Sequence, residues 1–333
     1  MTLLAEPVAR DARHDESLRD SVLQQAAAPD PQDSWLHRWC SSTSSLEQRL
    51  ADINTLSRKR LPTYVAAEVW LHLLGKATGM LGAEQTELLL RQFCMLAPEH
   101  GKAGMMYDLL MNKQRPGPQP ELVFMIASCQ RYMPQARRVL GELQARGAQA
   151  YITTGDPSLS VARQEGDLVT LPVSDTYEDL TSKVLEGLTY LRRRHGANIS
   201  IVKIDDDMAL TDELDPAALA HAARIYDYAG EAIGDHCCDR FWHYGKTSVP
   251  TPIFTRRQQG RFARGAMYLL GPRAVEHLVR EWVYYPGEFS GHVYEDRAVG
   301  DSLRRANIEV TPMSIERMGG VVDCTERYIA PVL

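Results

Sequence analysis

The spacing of hydrophobic residues changes at Pro120. Across residues 34–113, apolar residues recur at three- and four-residue steps, as at Leu46, Leu50 and Ile53. This spacing places them on one face of a helix and predicts a bundle of four or five helices. After Pro120, apolar runs alternate with helical patterns, which is typical of an α/β sheet with mostly parallel strands.

The segment Leu122–Ala127 is apolar at every position, as in a strand buried on both faces. It indicates a mixed, mostly parallel sheet flanked by helices. Strands are predicted at 122–127, 150–153, 168–171, 199–204, 265–270 and 308–311. Helices are predicted at 134–147, 175–191, 215–226, 272–282 and 298–306.

Changes in polarity, apolar spacing and Pro/Gly content divide the chain into four parts. Residues 1–32 are polar and are predicted to form a flexible leader. Residues 33–113 form a helical accessory domain, for which docking of a partner or dimerisation is the open alternative. Residues 114–120 are a Pro/Gly linker, and residues 121–333 form the α/β domain.

Composition excludes several classes of protein. A chain of 333 residues with 44% hydrophobic and 24% charged residues is ordinary for a globular protein. The net charge of −6 argues against nucleic-acid binding. No apolar run is long enough for a transmembrane helix, and the N-terminus lacks a secretory pattern.

The six cysteines are scattered, so we expect reduced thiols and a cytoplasmic protein. Dinucleotide-binding and P-loop motifs are absent from the sequence.

The clearest candidate chemistry directly follows the predicted strand at 199–204. Asp205, Asp206 and Asp207 are consecutive carboxylates, and a hard divalent cation would relieve their repulsion. Because α/β sheets bind ligands at the carboxyl ends of their strands, this position favours a metal or ligand site over a solvated acidic turn. Strand alternation puts Lys203 on the same face as Asp205, where it would pair with carboxylates or phosphates, or form a structural salt bridge.

Four motifs occur in a recognisable order. They are Ser-Asp-Thr-Tyr-Glu-Asp-Leu-Thr-Ser-Lys at 174–183, Lys-Ile-Asp-Asp-Asp at 203–207, Arg-Gly-Ala-Met-Tyr at 264–268 and Glu-Asp-Arg-Ala-Val-Gly at 295–300. Together they resemble the signatures of the β1,3-galactosyltransferase and Fringe-like family, glycosyltransferase family 31. The likeness covers residues 121–325, and the chain resembles a bacterial-type soluble member with an extra N-terminal helical region.

The resemblance implies a GT-A-like, Rossmann-like fold and a metal-dependent inverting transfer. A hexose or N-acetylhexosamine, with galactose favoured, would pass from a UDP-sugar to an acceptor hydroxyl and form a β-glycosidic bond. Asp205 and Asp207 would hold Mn²⁺ or Mg²⁺ against the diphosphate. Asp296 is the candidate base and Glu295 the second choice, with helix capping as the alternative for this pair.

The resemblance also implies a set of residues that bind the sugar donor. The set comprises Asp175, Lys183, Lys203, Asp206 and Gly265. Asp175 has a second interpretation that needs no ligand, because Asp175 and Glu178 have the spacing of a helix-capping box.

The chain departs from the family pattern at three points, and the third concerns the metal. Asp179 stands where the family has Asn, and Arg297 stands where it has Val. The family's metal-binding histidine follows the Glu-Asp motif, but the last histidine here is His292. Asp323 is the predicted replacement as an oxygen ligand, with water as the alternative.

The partners and the competing functions stay open at this stage. The acceptor is expected to be a glycan, a lipid-linked sugar, a protein or a small molecule, and the helical region is a candidate surface for oligomer formation. The aromatic residues Trp242, His243 and Tyr244 are either an acceptor-binding wall or a core plug. The competing functions are a metal-dependent phosphohydrolase or nucleotidyltransferase, and a non-catalytic module that binds nucleotide sugars or docks a partner.

Overall fold

A computed structural model describes residues 81–112, 119–234 and 260–322, together with Ala67, Trp70 and Leu71. The chain divides into two compact units, Met1–Gly82 and Ala83–Leu333. In the first unit, Ala67 and Trp70 are buried helical residues. The predicted leader, most of the predicted accessory domain, residues 242–244 and Asp323 lie outside the described residues.

The second unit alternates helices and strands along the chain. Its helices are α1 (Ala83–Leu96), α2 (Ala103–Met111), α3 (Met133–Ala145), α4 (Leu180–His195), α5 (Pro216–Ile225), α6 (Pro272–Tyr284) and α7 (Glu295–Arg305). Its strands are β1 (Leu122–Ala127), β2 (Ala150–Gly155), β3 (Arg163–Glu165), β4 (Leu168–Leu171), β5 (Ser200–Asp205), β6 (Met208–Leu210), β7 (Tyr228–Ile233), β8 (Phe262–Leu270), β9 (Thr311–Pro312) and β10 (Gly320–Val322).

Eight of the described strands form one sheet in the order β3-β4-β2-β1-β5-β8-β7-β9. The pairs β1–β2, β1–β5, β2–β4 and β7–β9 are parallel. The pairs β3–β4, β5–β8 and β7–β8 are antiparallel. Strands β6 and β10 form a separate antiparallel pair. The predicted mixed, mostly parallel sheet flanked by helices is therefore confirmed.

Strand β1 is buried at all six positions because helices cover both faces of the sheet. Phe124 and Ile126 belong to the same apolar cluster as Val139 of α3. On the opposite face α4 approaches closely at Gly187, where an added Cβ would lie 2.7 Å from Met125 Sδ. Two-sided burial is the reason that β1 has no polar alternation.

Several predicted elements are present with different ends. The helix predicted from Asp175 begins at Leu180 instead, and the helix predicted from Ala298 begins earlier, at Glu295. Of the strand predicted at 308–311, only Thr311 lies in a strand, the two-residue β9. The start of α5 agrees with its sequence signal, because the Asp215 carboxylate accepts the hydrogen bond that caps this helix.

Helices α1 and α2 confirm helical structure in the last part of the predicted accessory region. They belong to the same compact unit as the sheet. Buried Arg193 of α4 pairs with Glu87 of α1, and its Nε donates to the Leu110 carbonyl of α2 at 2.9 Å. The proposed linker stays a prediction because residues 113–118 are outside the described part. No helix in that part is both long and apolar enough to cross a membrane.

Candidate active site

The carboxyl ends of β1, β2, β4 and β5 lie along one edge of the sheet, as expected for parallel neighbours. Ser128 follows β1 and Asp206 follows β5. The Ser128 hydroxyl donates to Asp206 Oδ2 at 2.7 Å, and Asp206 is only 3% exposed. Asp206 therefore lies at the predicted edge, with one carboxylate oxygen held by the neighbouring strand end.

Asp175 connects the ends of three neighbouring segments. Its Oδ1 accepts hydrogen bonds from the Gly155 backbone N–H at 2.9 Å and from Lys183 Nζ at 2.7 Å. Its Oδ2 accepts from the Gln130 backbone N–H at 2.8 Å. Helix α4 begins at Leu180, so the prediction that Asp175 is its N-cap is wrong. The carboxylate instead satisfies backbone donors that are distant in the sequence.

Lys183 completes a buried polar chain beneath this edge. Its Nζ also donates to the Ser128 carbonyl at 2.9 Å, and its side chain is buried. The contacts run from Asp175 through Lys183 to Ser128 and on to Asp206. Asp175 and Lys183 are thus joined to the acidic cluster by internal hydrogen bonds, a connection that no local sequence pattern reveals.

A second polar cluster surrounds Lys203 of β5. Lys203 Nζ lies 2.6 Å from Asp205 Oδ1 and 3.5 Å from Glu295 Oε2, and it donates to the Gly265 carbonyl. Burial alone would lower the pKa of Lys203, but the charges of Asp205 and Glu295 raise it overall. Lys203 therefore forms the carboxylate salt bridge that was one of its two predicted roles.

Glu295 is a deeply buried carboxyl group at the start of α7. It is 3% exposed, and the Tyr268 hydroxyl donates to its Oε1. Burial raises the pKa of Glu295 to about 7, although the nearby charge of Lys203 opposes the rise. Glu295 therefore lies within the protein, adjacent to the more accessible Asp296.

Asp296 is half-buried, and backbone donors hold both of its carboxylate oxygens. Oδ2 accepts from the Gly265 N–H at 3.0 Å, and Oδ1 accepts from the Arg297 N–H at 2.8 Å. Burial raises the pKa of Asp296, while the Arg297 N–H and the charge of Lys203 act in the opposite direction. Tyr294, not Asp296, occupies the N-cap position of α7.

Gly265 lets β8 approach this carboxylate. A Cβ at Gly265 would lie 3.2 Å from Asp296 Oδ2 and 3.4 Å from Asp296 Cβ. The family resemblance places Gly265 in the set of residues that bind the sugar donor. The close contact present in the structure is with Asp296.

Tyr177 links the two groups of carboxylates electrostatically. Burial raises the pKa of its hydroxyl, and the charges of Asp296 and then Asp205 raise it further. Asp205 also raises the pKa of Asp296 itself. Asp205 at the strand end and Asp296 at the helix start therefore lie within electrostatic range of each other and of Tyr177.

Four residues of the site have no assigned role in the sequence analysis. Ser128 and Gln130 follow β1 at the same edge as the acidic cluster, and this position is a usable signal. Tyr177 and Tyr268 lie within the quoted motifs, but only tertiary contacts connect them to the carboxylates.

The described side chains contribute hard oxygen donors to the predicted metal site. Asp205 and Asp207 are both partly exposed. No group of three or more His, Cys, Asp or Glu side chains in the described ranges is arranged to hold a metal ion, and Asp323 is outside those ranges. Two carboxylates nevertheless fit Mg²⁺ or Mn²⁺, which bind through one or two carboxylates together with substrate phosphates.

Residues 153–314 match the family model described as Galactosyltransferase. This segment is a galactosyltransferase-family domain. The protein is therefore a glycosyltransferase, as the four motifs predict. The matched segment contains all four motifs, whereas Ser128 and Gln130 precede it.

No curated protein matches the chain. Among solved structures, it is similar to a "Putative Glucose-1-Phosphate Thymidylyltransferase from Bacillus anthracis", with 11% identity and a TM-score of 0.35. The similarity covers 58% of this chain and 87% of that chain. A likeness at this level adds nothing to the assignment of the galactosyltransferase-family domain.

Proposed function

We propose that this galactosyltransferase-family domain is a metal-dependent inverting enzyme. It transfers a hexose or N-acetylhexosamine, with galactose favoured, from a UDP-sugar to an acceptor hydroxyl, and the product is a β-glycoside. The observation that carries the proposal is the placement of Asp296, held by two backbone N–H groups, within electrostatic range of the strand-end carboxylate Asp205. The cytoplasmic location predicted from the scattered cysteines is part of the proposal.

Asp296 is the proposed general base. Its two backbone hydrogen bonds orient the carboxylate, and each oxygen retains a second lone pair that can accept the acceptor's proton. The acceptor oxygen attacks the anomeric carbon as the bond to the diphosphate breaks, so one displacement inverts the configuration. The proton moves to Asp296, and the electron pair of the broken bond leaves with UDP.

Asp205 and Asp207 are the proposed ligands of Mn²⁺ or Mg²⁺, with Asp323 as the proposed third. A divalent cation held there would neutralise the charge that develops on the diphosphate leaving group. Asp206 would accept a hydrogen bond from a ribose or sugar hydroxyl while Ser128 holds its Oδ2.

The remaining residues of the predicted donor set act from inside the protein in this proposal. Asp175 and Lys183 fix the segment at Ser128 and Gln130, which would form one wall of the donor site. Gly265 brings its N–H to Asp296. Lys203 neutralises the carboxylates around it.

The first experiment screens UDP-sugars with and without Mn²⁺, measuring UDP release and identifying glycosides by mass spectrometry. We expect metal-dependent transfer that falls by about 100-fold or more in Asp296→Asn and Asp207→Asn, because each removes a proposed reacting or ligating group. Asp212→Asn is the matched control because the Asp212 side chain is fully exposed. Metal-independent transfer, or full activity in both site variants, would refute the proposal.

The same assay distinguishes the competing functions. Hydrolysis of the nucleotide without a glycoside product would indicate a phosphohydrolase, and nucleotidyl transfer would indicate a nucleotidyltransferase. Glycoside formation with a glycan, a lipid-linked sugar, a protein or a small molecule would identify the acceptor class. Calorimetry that detects no UDP binding with any metal would favour a partner-docking module.

A further inference from the structure

Lys203 is a buried cation between two parts of the site. Its side chain is 1% exposed, although lysine is rarely buried unless it is paired. Its ammonium contacts Asp205 at the end of β5 and Glu295 at the start of α7. The charge of Asp296 also acts on it. One lysine therefore offsets part of the negative charge of three carboxylates from two distant segments.

The backbone N–H and carbonyl of Gly265 connect Lys203 to the proposed base, Asp296. The carbonyl oxygen of Gly265 accepts a hydrogen bond from Lys203, and its N–H donates to Asp296 Oδ2. Lys203 also lies opposite Tyr268 in the β5–β8 pairing, and the Tyr268 hydroxyl donates to Glu295. The position of the ammonium thus affects both the strand-end carboxylate and the segment that orients Asp296.

We propose that Lys203 is both the counter-cation of the site and a positioning residue. As counter-cation, it binds Asp205 when no divalent cation is present and competes with that cation for Asp205. As positioning residue, it orients Asp296 through Gly265. This inference rests on the proposed metal-dependent transfer and deepens it. Asp205 and Asp207 are oxygen ligands suited to a divalent cation, and Lys203 Nζ already lies 2.6 Å from one of those oxygens.

Removal of the Lys203 charge should strengthen cation binding but slow turnover. A divalent cation at Asp205 is repelled by the Lys203 ammonium, so a neutral residue at position 203 should strengthen cation binding. At a separation of a few ångströms, even in a water-like dielectric, this repulsion corresponds to about 10-fold in affinity. The same substitution removes the contact to Gly265, so the orientation of Asp296 and turnover should deteriorate.

The experiment measures Mn²⁺ binding by calorimetry in the full chain without nucleotide. The variants are Lys203→Met and Lys203→Gln, which remove the charge, and Lys203→Arg, which keeps it. Lys102→Met is the matched control because Lys102 is an exposed lysine at the start of α2. Circular dichroism and thermal unfolding check each variant, and Lys203→Gln carries the test if Lys203→Met does not fold.

We expect Mn²⁺ to bind about 10-fold more tightly to the two neutral variants, and within about 3-fold of wild type to Lys203→Arg and Lys102→Met. We also expect kcat of the neutral variants to fall by about 100-fold with little change in KM, since orientation of the base is lost. A merely structural role would not produce tighter metal binding together with slower turnover.

Weaker or unchanged Mn²⁺ affinity in the folded neutral variants would overturn the inference, as would a lack of Mn²⁺ binding in wild type and both neutral variants. Failure of the proposed transfer gives a different result. If wild type forms no glycoside but Lys203→Met still binds Mn²⁺ more tightly, the counter-cation role stands and the assigned reaction is wrong.

Discussion

The carboxylate of Asp296 accepts a hydrogen bond from the backbone N–H of Gly265 at a distance of 3.0 Å. This contact joins two motifs that lie apart in the sequence, one in β8 and the other at the start of α7. It orients the proposed base and also requires close approach of the two backbones, since an added Cβ at Gly265 would crowd the carboxylate.

Substitution of Gly265 by Ala should therefore impair catalysis more than stability. The new Cβ would lie 3.2 Å from Asp296 Oδ2, so the carboxylate must shift. We expect kcat to fall by about 10- to 100-fold, since small errors of orientation have effects of this size. Gly141→Ala is the control, because Gly141 lies within α3 with no neighbour near its added Cβ, and it should keep full activity. Unchanged kcat in Gly265→Ala would contradict the orienting role of this contact.

Substitution of Asp175 by Asn should destabilise the protein and weaken donor binding. Lys183 would lose its counter-ion, and breaking a fully buried ion pair costs about 3 kcal/mol or more of folding free energy. We expect a smaller loss of stability here because Asp175 is 22% exposed. Urea unfolding measures the stability, and KM for the UDP-sugar measures the binding. Asp167→Asn provides a control on an exposed carboxylate that accepts a single side-chain hydrogen bond. A rise in KM without any loss of stability would instead indicate direct contact with the donor.

The pH dependence of stability should reveal the raised pKa of Glu295. Its pKa is raised by burial from 4.5 to about 7, so the folded state binds this proton more tightly than the unfolded state does. Stability should therefore fall as pH rises from 4.5 to 7, by an amount on the order of 3 kcal/mol, and stay lower above that range. Urea unfolding of wild type and Glu295→Gln at pH 5 and pH 8 isolates this effect, because other groups titrate in both proteins. An identical pH effect in the two proteins would show that Glu295 does not have a raised pKa.

The pH dependence of activity should reveal the protonation of Asp296, the proposed general base. A general base acts in its deprotonated form, and burial raises the pKa of this carboxyl above its ordinary value of 3.8. Activity should therefore be lost, as pH falls, at a higher pH than for an ordinary aspartate. Steady-state kcat/KM measured across acidic and neutral pH checks this prediction. Full activity maintained down to the ordinary titration range of aspartate would argue against Asp296 as the base.

Substitution of Glu87 by Gln should destabilise the unit that contains the sheet. Glu87 pairs with Arg193, and both side chains are almost completely buried. Loss of the Glu87 charge leaves buried Arg193 without its paired carboxylate, at a cost of about 3 kcal/mol. Denaturant unfolding should show this loss, whereas Glu84→Gln on the exposed side of α1 should have little effect. Equal stability of the two variants would mean that this ion pair does not hold α1 to α4.

The sequence predicts the sheet well where local chemistry is sufficient. Strand β1 is apolar throughout because both its faces are covered, and α5 begins where Asp215 caps a helix with Pro216 in its first turn. The short strands β3, β6 and β10 and the glycine-containing β7 are absent from the prediction. In β7, Gly230 weakens the strand pattern but permits close packing, because an added Cβ would lie 2.5 Å from Ala263 Cβ.

The role of Asp175 shows why part of the site could not be read locally. Asp175 and Glu178 have the spacing of a capping box, which describes contacts within a few residues. The actual partners of the Asp175 carboxylate are Gly155, Gln130 and Lys183. Parallel strand ends bring these groups together, and no short-range pattern contains that information.

The amino-acid sequence by itself determined which segments are the candidates for the chemistry: an acidic cluster after a buried strand, and a Glu-Asp pair at a helix start. Both follow from side-chain type and local periodicity. Only the tertiary structure decided that Lys203 lies between Asp205 and Glu295, and that Gly265 orients Asp296. The pairing of β5 with β8 and the packing of α7 create these contacts, because a buried charge needs partners that distant segments supply.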